Sequence, residues 1–132
     1  MTTLDDLILK GKLLDNNNNH NNSKKIKLSY QPLDIFISAD RTRLTQVILN
    51  LLNNAIKFTQ EGVISIKAEV KNSNNIVVVS IKDRGTGIDA EIFPRLFTKF
   101  ATKSVGGRGG GTGTGLGLFI CKSIIEAHGG KI

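Results

Sequence analysis

Residues 40–59 read DRTRLTQVILNLLNNAIKFT, and this stretch decides the fold. Asp40 stands where a helix N-cap belongs, because a short carboxylate accepts from the first free backbone N–H groups. After it Leu44, Val47, Ile48, Leu51, Leu52, Ala55 and Phe58 recur at helical spacing and make a wide apolar stripe. The helix is expected to end by Gly62. Upstream, residues 25–30 (KIKLSY) and 34–38 (DIFIS) read as two short strands parted at Gln31-Pro32. Downstream, Val63 to Val70 alternates Ile64, Ile66, Ala68 and Val70 along one face, and residues 76–82 (IVVVSIK) form a further strand. The turn-rich KNSNN between them predicts a β-hairpin. A last helix is expected from about Leu116 to His128, stopped by Gly129-Gly130, with Lys131-Ile132 opening another strand. This order predicts a two-layer α/β sandwich, a mixed sheet covered on one face by helices.

The 132 residues suit one domain with one core. Residues 1–25 are set apart: 4–14 (LDDLILKGKLL) read as a short helix, and 16–22 (NNNNHNN) as a low-complexity mobile loop in which His20 is solvated. Residues 26–132 form the domain proper. Eighteen Lys and Arg against eleven Asp and Glu leave +7, which suits any polyanion: nucleic acid, an anionic membrane or a nucleotide's phosphates. Six Phe, one Tyr and no Trp are too few for a base-stacking platform on single strands. Cys121 is the only cysteine, so neither an internal disulfide nor a cysteine zinc site forms, and its apolar neighbours predict a buried small hydrophobe. Neither a signal peptide nor an apolar run near membrane length is present, so a soluble, cytoplasmic piece is expected, from a parent that is itself free or membrane-attached.

The helix at 40–58 has a second face. Asn50, Asn54 and Lys57 fall at i, i+4 and i+7, on one line. Mid-helix asparagine costs roughly half a kcal/mol relative to alanine. Either this is an ordinary solvent face, or the amide oxygens offer neutral, hard ligands to a magnesium ion carried in by a nucleotide, with Lys57 facing the same phosphates.

Two glycine boxes follow. Asp83-Arg84-Gly85-Thr86-Gly87-Ile88 comes straight after a strand. It reads as a plain turn, or as a carboxylate placed to accept from the exocyclic amine of adenine, with glycines allowing backbone close to the base. The alternating acidic ligands of an EF-hand are missing. Gly113-Thr114-Gly115-Leu116-Gly117-Leu118 leads into the last helix, and eight of the fourteen glycines lie between Gly106 and Gly117. Glycines before a helix N-terminus make an anion cradle of outward N–H groups. The box is no Walker loop, which ends Gly-Lys-Ser/Thr, and no dinucleotide fingerprint, which follows a strand directly. Between the boxes a short helix is expected around Glu91 to Phe100, with Phe93, Phe97 and Phe100 as its packing stripe. Residues 101–112 read as a mobile lid in which Lys103 and Arg108 reach toward a terminal phosphate.

These boxes, in this order across residues 26–132, resemble the N, G1, F and G2 boxes of histidine protein kinases. The resemblance implies a Bergerat fold, the GHKL group that also holds type II topoisomerases, Hsp90 and MutL. It implies ATP and Mg2+ as ligands, with Asn54 on the metal, Asn50 supporting metal and phosphates, and Lys57 on phosphate. It further implies that Asp83 reads the adenine amine from a buried carboxylate, with Phe58 and Ile88 walling the base beside Gly85 and Gly87. Gly113, Thr114, Gly115, Leu116 and Gly117 wrap the phosphates. ATP-hydrolysing members carry a glutamate at the position of Asn50 to activate water, and an amide cannot act as that base. The implied activity is phosphoryl transfer from ATP to a histidine on a separate dimerisation domain of a two-component sensor kinase, with a response regulator as the indirect partner and no nucleic acid. A Bergerat ATPase or serine kinase, and a basic nucleic-acid-binding module, are the alternatives. Neither His20 nor His128 precedes an acidic residue, so neither resembles the family's phosphoacceptor, and the fragment is expected to be inactive alone.

Overall fold

The computed structural model describes residues 2–3, 25–31, 34–71, 75–101 and 115–132. The expected helix at 4–14, the Asn tract with His20, most of the KNSNN link and the lid at 102–112 lie outside these residues, as do Gly113 and Thr114. The chain divides into two compact units, Met1–Thr86 and Gly87–Ile132.

Among the described residues the first unit holds five strands and a helix: β1 (Thr2–Thr3), β2 (Lys25–Tyr30), β3 (Phe36–Ile37), α1 (Arg41–Phe58), β4 (Glu61–Lys71) and β5 (Ile76–Lys82). β2 pairs in parallel with β4, from Lys25 opposite Glu61 to Tyr30 opposite Ile66. β4 pairs antiparallel with β5, from Ser65 opposite Lys82 to Lys71 opposite Ile76. The result is a mixed sheet in the order β2-β4-β5, and α1 lies in the crossover that parallel neighbours require. β3 is shorter than its sequence suggests and belongs to a separate two-stranded ribbon with β1.

α1 forms as its pattern dictates. The Asp40 carboxylate accepts from the Arg43 N–H at 3.0 Å, capping a helix of 18 residues. Its stripe buries Val47, Ile48, Leu52 and Ala55. Ile48 and Leu52 pack with Ile66 of β4, and Tyr30, Leu44, Ala68 and Ile81 close around them. Phe58 departs from the stripe. At 53% exposure it projects outward from the last helical position.

The second unit differs more from expectation. No helix spans 91–100; a 3-10 turn at Phe93–Arg95 stands there between irregular turns. Local side chains take the backbone groups a helix needs: Asp89 Oδ1 accepts from the Glu91 N–H at 3.0 Å, and the Thr98 hydroxyl donates to the Arg95 carbonyl at 2.6 Å. Phe100 then adopts a left-handed φ of +59° and ends the run, its N–H donating to the Gly115 carbonyl at 2.9 Å. The aromatic stripe is therefore not a packing stripe. Phe93 and Phe100 are 65% and 69% exposed, and only Phe97 is half-buried.

α2 (Gly117–Ala127) buries Cys121 and Ile124. It stops in a Schellman motif: the Gly130 N–H donates to the Ile125 carbonyl and the Gly129 N–H to the Glu126 carbonyl, both at 2.9 Å. Gly129 sits at φ +74°, as that motif needs. Lys131 and Ile132 join no strand among the described residues. No described helix is long and apolar enough to cross a membrane.

Candidate nucleotide site

The first unit holds Asn50, Asn54, Lys57 and Phe58 on α1, and Asp83 and Gly85 in the turn after β5. The four helical residues occupy the last three turns of α1. Asn50 and Asn54 are half-buried, while Lys57 and Phe58 are exposed. Neither asparagine amide is engaged by another described residue. Lys57 Nζ lies 5.2 Å from the centroid of the Phe58 ring, close enough for a cation–π contact.

Half-buried, neutral amide oxygens on one helix face fit a hard divalent cation whose charge is met by phosphate oxygens. Among the described residues no three His, Cys, Asp or Glu side chains cluster as a metal site, so a cation here would depend on phosphates for its negative charge. A shallow groove of ≈ 520 Å³ runs along α1 and is lined in part by Gln46, Leu49, Asn50 and Asn53. Asn54, Lys57 and Asp83 do not line it.

The first glycine box leaves β5 and folds back on the end of α1. Asp83 is exposed, against the buried carboxylate expected of it. The physical reason is local: its Oδ1 accepts from the Gly85 N–H at 2.8 Å, which makes a tight Asx turn at the surface. Gly85 is needed for a contact inside the protein. A Cβ there would stand 2.9 Å from the Phe58 carbonyl oxygen, which is backbone and cannot swing aside. The Arg84 N–H donates to the buried Thr59 hydroxyl at 3.4 Å. Neither contact is written in the local sequence pattern. The one sequence cue was a Thr at the helix end followed closely by a glycine.

The second unit holds Gly87, Ile88, Gly115, Leu116 and Gly117. Gly87 has φ +81° and open space where a Cβ would be, so backbone conformation and not crowding calls for glycine. Ile88 is 53% exposed. Gly115 has φ +68° and leads through Leu116 into α2, whose N-terminus has no side-chain cap and no acidic residue in its first turn. A helix N-terminus of this kind is where an anion is favoured by the helix dipole.

A family model described as histidine kinase-, DNA gyrase B- and HSP90-like ATPase matches residues 39–132. The chain belongs to this family. The sensor protein KdpD of Clostridium acetobutylicum is 44% identical over 108 residues, 82% of this chain but only 12% of the relative. The chain thus spans about an eighth of that protein's length. The solved catalytic domain of the histidine kinase ThkA superposes with a TM-score of 0.70 at 32% identity, over 96% of this chain and 80% of that one. Full-length ShkA in complex with AMPPNP gives 0.71 at 29% identity, over 93% of this chain and 24% of that one. The mixed α/β sheet expected from the sequence is the fold of these domains. Within the family, the chain is an ATP-binding catalytic domain of the sensor histidine kinase kind.

Proposed function

We propose that this domain binds Mg-ATP and donates the γ-phosphoryl group to a histidine on a separate dimerisation domain of its parent kinase. The observation that carries this reading is one helix face: Asn50, Asn54 and Lys57 at the end of α1, with the Asp83 turn folded against the same end. The AMPPNP complex of the ShkA relative supports an ATP-type ligand. Asn54, with Asn50 beside it, would hold a magnesium ion shared with the phosphates, and that ion supplies neutralisation of phosphate charge. Lys57 adds a point charge on the same side. Asp83, with Oδ1 committed to its own turn, presents a carboxylate to the base.

Asn50 also sets the reaction class. An amide takes no proton, so this position activates no water, and the bound triphosphate waits for an outside nucleophile. In the transfer, an imidazole nitrogen of the acceptor bonds to the γ-phosphorus as its bond to the bridging oxygen breaks, and ADP leaves with that electron pair. The protein's contribution is position and charge.

Titrating nucleotides into the purified chain tests the reading. Saturable binding of Mg-ATP, with ATP preferred over GTP and little sensitivity to added DNA, is expected. Salt-sensitive binding to any duplex, with no nucleotide preference, belongs to the nucleic-acid module instead.

A further inference from the structure

Thr59 has been given no role toward the ligand, yet it joins the end of α1 to the turn that carries Asp83. It is the C-cap of α1, its N–H donating to the Ala55 carbonyl at 3.1 Å, and it is fully buried. Lys57 and Phe58 directly precede it. Its hydroxyl is the acceptor for the Arg84 N–H, and Arg84 directly follows Asp83. A Cβ at Gly85 would stand 2.9 Å from the Phe58 carbonyl oxygen, so the turn lies close against the last helical residue. On the other side Gly62, at φ +115°, gives the Arg84 side chain its place: a Cβ there would come within 3.3 Å of Arg84 Cγ. Residues 58–62 are therefore a seat for residues 84–85.

We propose that Thr59 is a positioning residue: its buried hydroxyl sets the base-reading turn at Asp83 against the phosphate-reading end of α1, and base selectivity depends on it. The proposal rests on the nucleotide reading above. A backbone N–H that loses its acceptor seeks another, and water is the nearest one for a turn at the surface. Without the hydroxyl, Arg84 and with it Asp83 move outward, while Asn54 and Lys57 stay on an intact helix. Loss is then confined to the base half of the ligand. The threonine methyl fills buried space, so serine keeps the acceptor with little lost packing and valine keeps the packing without the acceptor.

The test compares Thr59→Val and Thr59→Ser with the unsubstituted chain, using ATP, GTP and inorganic tripolyphosphate in magnesium. Thr59→Val is expected to weaken ATP about tenfold, leave tripolyphosphate within about twofold and largely erase the preference for ATP over GTP. Thr59→Ser is expected to stay within about threefold of the unsubstituted chain for all three. An unchanged ATP preference in Thr59→Val overturns the proposal. So does an equal loss of ATP and tripolyphosphate, or a Thr59→Ser variant as impaired as Thr59→Val. Hydrogen exchange in the unsubstituted chain needs no variant to fold: the Arg84 amide is expected to exchange at least tenfold more slowly than that of Thr86, and equal rates overturn the hydrogen bond itself. Failure of the unsubstituted chain to bind any nucleotide counts against the nucleotide reading, which the Arg84 exchange rate does not touch.

Discussion

Asn54 and Asp83 are assigned to opposite ends of the ligand, and their substitutions should separate. Asp83→Ala removes the carboxylate offered to the base and also frees the Gly85 N–H it now holds. It should weaken ATP and ADP alike, by about one to two powers of ten. Asn54→Ala should weaken ATP in magnesium and change little once the metal is chelated; equal loss in both conditions would make Asn54 a structural residue. Glycines 85 and 87 separate on a different ground. Gly85→Ala puts a methyl against the Phe58 carbonyl and should cost about 1–3 kcal/mol of stability as an overpacked contact. Gly87→Ala meets no neighbour and should cost about 1–2 kcal/mol through its left-handed φ alone. Urea unfolding of both, beside an alanine-to-glycine control at Ala127, gives the two numbers. These contacts also show where sequence reading stops. Both glycines carry the same letter in one motif, but Gly85 is fixed by Phe58, 27 positions earlier (85 − 58). No local pattern encodes that distance.

At the scale of elements, legibility follows how much of each segment's fate is decided by its own periodicity. α1 was readable from cap to last turn because a buried stripe and a capping carboxylate both repeat on the helix's own geometry. β5 came out at residues 76–82 as read, and β4 extends the expected strand at both ends. The segment 91–100 was not readable. Its phenylalanines fall at helical spacing, yet the side chains of Asp89 and Thr98 bind nearby backbone groups instead, and spacing alone carries no record of that competition. Phe58 misled for another reason: the stripe continues to it in sequence, but the helix ends there and its ring turns to solvent. The caps make a clean test. Asp40→Ala should lower stability by about 1 kcal/mol, and nucleotide affinity should not move, since Asp40 lies at the far end of α1 from Lys57. A change in affinity larger than about threefold would tie that end of the helix to the ligand.

For the whole molecule, the family match runs over residues 39–132, and the residues proposed for the site are divided between the two compact units. Asn50, Asn54, Lys57, Phe58, Asp83 and Gly85 belong to the first; Gly87, Ile88, Gly115, Leu116 and Gly117 belong to the second. The excess of seven positive charges favours a polyphosphate ligand, although it does not select one. In the proposed reading, selection for a nucleotide rests on the Asn50 and Asn54 amides and the Asp83 turn. The most direct test supplies the purified chain with γ-labelled ATP, with and without the dimerisation domain of its own parent. Acid-labile label on a histidine of that added domain, with none on His20 or His128, is the result expected. Acid-stable label, or acid-labile label on either histidine of the chain itself, would contradict the account.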